Sequence, residues 1–225
     1  MIAGFPLMLP DPLRLSIALV PLASYCLLIG LLNARRRPFL TSGGADLAAL
    51  GAAMSGMVLV GPVELFRPEA ASTEYGSYVW LFLLLLYWLC VWLAVLLARP
   101  RLVIYNVSVE ELRPVLAEAS RAIDPLARWA GDSLSLPTLG VQLHLESFEL
   151  MRHVSVVASG GRQNLAGWGR LATNLYQRLQ SLRVGPNPRA LGIMLVAIIL
   201  VVASTTHMLA HPQHVVQAMR EIFAY

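Results

Sequence analysis

The chain has 225 residues, of which 57% are hydrophobic and 13% are charged, and its mean hydropathy is +0.63. Soluble domains carry about 25% charged residues, so this composition argues against a soluble globular protein. The formal net charge is +4, and every basic residue is Arg. Many arginines flank apolar segments instead of clustering on a soluble face, which argues against nucleic-acid binding. Cys26 and Cys90 lie in apolar segments without CxxC spacing, so we expect small buried hydrophobic side chains there.

Four apolar segments are predicted to span a membrane. They cover about residues 13–32, 47–63, 79–98 and 190–210. The third has no charged residue, Gly or Pro, and as a helix it would extend about 30 Å, the thickness of the hydrocarbon core of a bilayer. In the second, Ala48, Ala52 and Gly56 recur every four residues. This spacing predicts a smooth face that another helix approaches closely.

The connections between these segments are predicted to be short. Residues 39–45 are expected to form a loop, after which Asp46 opens the next helix. Residues 185–188, rich in Gly and Pro, are expected to link a soluble segment to the last span. After that span, Val215, Ala218 and Ile222 fall on one helical face, which predicts a C-terminal amphipathic helix on the membrane surface.

Residues 101–184 are predicted to form a small α+β domain. Strands are expected at 102–107, 129–136, 141–145 and 154–158, and the Ser108–Glu111 capping box predicts a helix to about Ile123. A second helix carries a periodic apolar stripe at Leu165, Trp168, Ala172, Leu175, Leu179 and Leu182. We expect this stripe to pack on the domain's own sheet, since it is too short for a coiled coil. The predicted fold class is a membrane all-α bundle of four transmembrane helices with an inserted small α+β soluble domain (strand-helix-strands-helix).

The distribution of arginines predicts the orientation. The flanks at the end of span one, the end of span three and the start of span four are all rich in Arg, whereas the loop after span two is net acidic. If the chain crosses the membrane four times, all the Arg-rich flanks lie on the same side of the membrane. The positive-inside rule then predicts a multi-pass protein of the cell membrane, with the α+β domain in the cytoplasm and both termini outside.

The first candidate site is the basic region from Arg152 to Arg189, which contains no acidic residue. Arginines next to a membrane attract anionic lipid headgroups. The predicted headgroup contacts are Arg162, Arg170, Arg178, Arg183 and Arg189. The alternative is an ordinary solvated helix face together with the usual positive flanks of a membrane span.

The second candidate site comprises His207, His211 and His214 at the outer end of the last span. Imidazole is a common metal ligand, and the first two residues share a helical face. However, Pro212 is expected to interrupt the helix, and no carboxylate or thiol completes a ligand set. These histidines are therefore only weak metal candidates. Neither a catalytic residue nor a cofactor is predicted.

The predicted function follows from the layout of the chain, since no catalytic motif is present. Both ends of the domain lie within a few residues of a span, which is typical of a scaffold, accessory or regulatory subunit held against the membrane. The expected partners are the lipid bilayer and either a membrane protein or a second copy of the chain. The alternatives are a membrane-associated enzyme or transporter subunit, or a sensor of a small ligand through the α+β domain.

Overall fold

The computed structural model describes residues 11–63, 78–161 and 163–223. The chain divides into two compact units. Among these residues, unit 1 contains 11–27, 49–63, 78–91 and 195–223. Unit 2 contains residues 28–48 and 92–194. Unit 2 therefore holds the α+β domain and one end of each long apolar helix.

The described elements alternate between long apolar helices and a compact sheet. In chain order they are α1 (Pro12–Ala34), β1 (Phe39–Ser42), α2 (Gly43–Val58) with a π-helical continuation (Leu59–Val63), α3 (Tyr78–Leu97), β2 (Arg101–Tyr105), α4 (Val109–Ile123), β3 (Arg128–Ala130), β4 (Ser133–Leu136), β5 (Val141–Phe148), a 3₁₀ turn (Glu149–Met151), β6 (His153–Ala158), α5 (Leu165–Ser181), α6 (Pro188–Ala210) and α7 (Pro212–Phe223). Four helices, namely α1, α2, α3 and α6, are long and apolar enough to cross a membrane. The four predicted apolar helices are thus present.

Close helix contacts in unit 1 occur on two sides of α2, and one of them is the predicted small-residue face. The backbone of Gly56 lies so near the carbonyl oxygen of Ile17 in α1 that a β-carbon would not fit. On another side of α2, Gly51 faces Val91 of α3. The hydroxyl of Tyr87 in α3 donates to the Gly51 carbonyl at 2.6 Å. Small residues in α2 therefore permit contact with two other helices.

The sheet in unit 2 has six strands in the order β1-β2-β6-β5-β4-β3, and all neighbours are antiparallel. Its first strand comes from a segment predicted to be a loop, because β1 occupies Phe39–Ser42 and pairs with β2 from Phe39↔Tyr105 to Ser42↔Leu102. Four residues are too few to show a strand pattern, and this strand forms on the edge that β2 provides. The sheet therefore contains a strand from outside residues 101–184.

Helices α4 and α5 cover one face of the sheet and form the core of the domain. The buried face of α5 is centred on Trp168, Leu171, Leu175 and Leu179. The predicted packing of α5 on its own sheet is confirmed, but the predicted stripe was wrong at its start. Leu165 is 72% exposed, because it opens the helix directly after the Asn164 cap.

Two further features of the sheet are a hairpin at one edge and an open polar region on one face. The predicted strand 129–136 is a hairpin, β3 and β4, because Gly131 adopts a left-handed conformation at φ 61° and turns the chain. On the face opposite the helices, β2 carries buried Val103 and Tyr105, whereas β5 carries exposed His144 and Glu146. The polar half of this face is thus open to solvent.

Candidate functional site at the junction of helix ends and sheet

An acidic residue at the start of α2 joins this helix to the sheet. Since α2 begins at Gly43, directly after β1, Asp46 lies in its first turn and beside the neighbouring strand β2. Its carboxylate accepts hydrogen bonds from the Tyr105 hydroxyl and, at 3.3 Å, from the Arg101 guanidinium. Asp46 was predicted to open the helix, and it does lie in the first turn, where the helix dipole favours a carboxylate. Its two partners were not foreseen.

A histidine on the next strand extends this cluster. His153 pairs with Tyr105 across β2 and β6, and the two ring centroids are 5.6 Å apart. Phe148 lies on its other side, with a centroid distance of 5.4 Å. Burial and the nearby Arg101 lower the pKa of His153, and the nearby Asp46 only partly opposes them. The imidazole is therefore neutral at pH 7, and its Nδ1 is buried without a hydrogen-bond partner in the described part of the chain.

Buried asparagines make a second set of contacts in unit 2. Asn33, near the end of α1, donates to the Ile29 carbonyl and accepts from the Asn187 side-chain amide at 3.3 Å. Asn106, in a left-handed conformation at φ 59°, donates to the Arg35 carbonyl. The Asn33–Asn187 and Asn106–Arg35 bonds join segments that are far apart in the sequence, and so the end of α1 is fixed to both ends of the domain.

A third set of contacts joins the turn before β6 to the linker between α5 and α6. Arg152 donates to the Glu111 carboxylate at 2.8 Å and to the Gly185 carbonyl at 3.0 Å. Burial would raise the pKa of Glu111, but hydrogen bonds from the Ser108 backbone and from Arg152 outweigh it and lower the pKa. The ionised pair therefore persists at neutral pH. Arg189, at the start of α6, donates to the Glu149 carbonyl.

A cavity of about 550 Å³ opens beside these contacts. It lies where β5 extends beyond its partner β4, and its wall includes Ser108, Glu110, Ser147, Arg152 and His153. The lining mixes polar and apolar groups. This lining and the volume of the cavity suit a small polar molecule.

The predicted headgroup arginines are placed in different surroundings. Arg178 pairs with Glu118 of α4 at 3.1 Å, and Arg189 contacts the domain as described above. Arg170 and Arg183 are exposed. Arg162 lies outside the described residues. Contact of these arginines with lipid stays a prediction.

The three candidate histidines lie in a row at the end of α6. Ring centroids are 4.9 Å apart for His207 and His211 and 5.9 Å apart for His211 and His214. The helix stops at Ala210 and a new one begins at Pro212, as predicted. In residues 11–63, 78–161 and 163–223, no group of three or more His, Cys, Asp or Glu side chains is arranged to hold a metal ion.

Sequence reasoning missed most of the junction. The buried polar residues Asn33, Asn106 and Asn187 are the available sequence clue, because buried amides need partners. Their partners, however, follow only from the fold. No family model, curated protein or solved structure matches this chain.

Proposed function

We propose that the chain is a multi-pass membrane protein whose α+β domain is a fixed, non-enzymatic platform at the cytoplasmic membrane surface, where it docks a partner protein. The long apolar helices support membrane insertion by length and composition. The Arg-rich flanks of these helices, including Arg37, Arg99 and Arg183, support a cytoplasmic location of the domain.

The observation that carries the proposal is the origin of strand β1. This strand lies between two apolar helices in the sequence and yet completes the sheet of the domain. Asp46 then ties α2 to β2, and Asn187 ties the start of α6 to the end of α1. Within unit 2 the domain is therefore attached to all four apolar helices, not only to the two that flank it in sequence. Such a domain presents one defined surface, as a docking platform requires.

The docking surface that we propose is the open polar half of the sheet. Its exposed side chains are Gln142, His144 and Glu146 on β5. His144 is held by a hydrogen bond between its Nδ1 and the Ser133 hydroxyl at 3.1 Å. Preordered polar side chains on a rigid sheet reduce the entropy lost on binding.

Photo-crosslinking in cells tests the platform. Benzoylphenylalanine is placed at His144 or at Glu146, with exposed Gln180 on α5 as the matched control position. We expect one discrete adduct from the β5 positions and none from residue 180. Equal labelling at all three positions, or adducts of the chain with lipid alone, would contradict a protein platform on β5.

Orientation is tested separately by cysteine labelling. The Ser133→Cys variant is made in a background where both native cysteines, Cys26 and Cys90, are replaced by Ala. A membrane-impermeant maleimide should leave intact cells unlabelled and should label inverted vesicles. Labelling of intact cells would place the domain outside and overturn the proposed location.

The cavity beside β5 favours a second candidate, a sensor of a small polar ligand. His153 lines this cavity and also contacts Tyr105 of the junction. Its imidazole is neutral, and its buried Nδ1 has no hydrogen-bond partner among the described residues. A ligand that donates to this nitrogen would alter the contacts of α2. A thermal-shift screen of the full chain in detergent, repeated with His153→Phe, tests this alternative; a ligand shift that persists in the variant would exclude it.

A further inference from the structure

A second cavity, of about 350 Å³, opens where the apolar helix α3 ends and the sheet begins. It belongs entirely to unit 2. Its lining combines Val95, in the last turn of α3, and Ala98, directly after this helix, with Arg99 and the first turn of α5, represented by Leu165 and Trp168. Apolar groups and a cation thus line the same opening.

The cationic side of the cavity has charge that the described residues do not compensate. Arg101 is paired with Asp46 at 3.3 Å. Arg99 is exposed, and it makes no ion pair with the residues that the structure describes. A guanidinium in this position offers a planar set of donors that matches a phosphate group.

The apolar side of the cavity is uncovered. Leu165 is 72% exposed although the rest of the apolar face of α5 is buried in the core. Ala98 is also exposed, and it follows directly on a helix of bilayer length. Exposed Leu at a membrane boundary is stabilised by contact with hydrocarbon.

We propose that this cavity is a binding site for an anionic phospholipid. The phosphate binds the guanidinium of Arg99, and the first part of an acyl chain packs against Val95, Ala98 and Leu165. A charged donor and apolar groups that line the same cavity are the combination that an amphipathic ligand needs. The inference rests on the membrane location proposed above, and it assigns to the site a ligand class and a residue, Arg99, outside the predicted headgroup set.

Native mass spectrometry of the full chain in detergent tests the site. Phosphatidylglycerol is titrated against the wild type, Arg99→Gln and Arg37→Gln. Arg37 is an exposed arginine near the end of α1 and is the matched control. Loss of one cationic contact should weaken lipid binding about fivefold in Arg99→Gln and leave Arg37→Gln close to the wild type. Equal binding by the two variants would overturn the proposal.

A second pair of variants tests the apolar part without changing charge. Ala98→Phe fills the cavity, whereas Ala94→Phe places the same ring on an exposed position one turn earlier that does not line it. We expect reduced lipid binding only in Ala98→Phe. Equal lipid binding by both variants would contradict the assignment.

Two further measurements show whether the bound phosphate belongs to a lipid, and whether a negative result concerns the lipid site or the membrane location. Excess glycerophosphoglycerol, which has no acyl chain, should not displace the lipid; full displacement would identify a free phosphate ester as the ligand and overturn the lipid proposal. Carbonate extraction of cell membranes reports on the proposed function instead. Retention in the pellet together with unselective lipid binding would refute only the lipid site, and release into the supernatant would refute the membrane location itself.

Discussion

At the scale of single residues, Asp124 shows how a buried charge is tolerated. The side chain is fully buried after the last turn of α4. Its carboxylate accepts hydrogen bonds from the Thr138 amide at 2.8 Å, the Thr138 hydroxyl at 2.9 Å and the Leu126 amide at 2.9 Å. Burial would raise the pKa of Asp124, but these hydrogen bonds outweigh it and lower the pKa. The ionised carboxylate thereby joins the turn after α4 to the turn between β4 and β5.

This arrangement predicts a pH-dependent stability. A lowered pKa in the folded state means that Asp124 stabilises the fold above its unfolded pKa of about 4, and that this contribution is lost as the pH falls through the lower folded value. In Asp124→Asn the new amide faces three donors. We expect a lower melting temperature than in the wild type at pH 7, measured by circular dichroism in detergent.

The difference in melting temperature between wild type and Asp124→Asn should shrink at pH 3, because the wild type then loses part of its carboxylate contribution. Exposed Asp132, replaced by Asn, is the control at both pH values. A melting difference that is independent of pH would show that the charge of Asp124 does not stabilise the fold.

Tyr105 offers a test of the junction by removal of one oxygen atom. Its hydroxyl binds Asp46, and its ring is buried against the sheet. Tyr105→Phe should destabilise the chain by about 1–2 kcal/mol, since a partly buried carboxylate loses one of two donors. Hydrogen exchange should rise in residues 43–48 in particular. Tyr176→Phe, at a half-exposed position on α5, should change neither the stability of the chain nor the hydrogen exchange of residues 43–48. Equal exchange in the two variants would contradict the role given to Asp46.

At the scale of elements, the regular patterns could be predicted from the sequence and the edge strand could not. The alternation in β5 and the capping box of α4 are local patterns, and both are present in the structure. Strand β1 has only four residues, and its hydrogen bonds come from a strand about sixty positions later, as in Ser42↔Leu102. No local pattern reveals a pairing of that range.

The edge strand predicts how fragments of the domain behave. A fragment of residues 102–184 leaves the edge of β2 unpaired, and an open edge promotes aggregation. In an alternative fragment, residues 39–42 are joined to residue 102 by Asn-Gly, which suits a two-residue hairpin. Size-exclusion chromatography should show more monomer for the fused fragment. A fully monomeric 102–184 fragment would show that β1 is dispensable.

Because α2 approaches α1 closely at Gly56, we expect a single methyl group added there to lower the stability of the chain. A β-carbon on Gly56 would lie 1.9 Å from the carbonyl oxygen of Ile17, so the backbones must separate. Gly56→Ala should therefore cost about 1–3 kcal/mol, measured as lost helicity during denaturant titration in detergent. Gly192→Ala in α6 meets no atom of the described residues within 4 Å and serves as the control. Equal stability of the two variants would contradict this packing.

At the scale of the whole molecule, composition and periodicity predict what each segment is, whereas they do not predict which segments touch. The apolar helices and the α+β segment follow from hydropathy and alternation alone. The junction depends on pairs far apart in the chain, such as Asn33 with Asn187 and Asp46 with Tyr105. Each of these side chains is polar and commonplace by itself, and only the completed fold gives it a partner.

The position of β1 in the chain has a consequence for biosynthesis. The ribosome completes β1 about sixty residues before β2, so at 5–20 residues per second this strand waits roughly 3–12 s for its neighbour. During that interval the second and third apolar helices are synthesised. Strand β1 therefore meets β2 only after three hydrophobic segments have left the exit tunnel, and a translational pause just after β2 has emerged from the tunnel would fall at the moment when the two strands first meet.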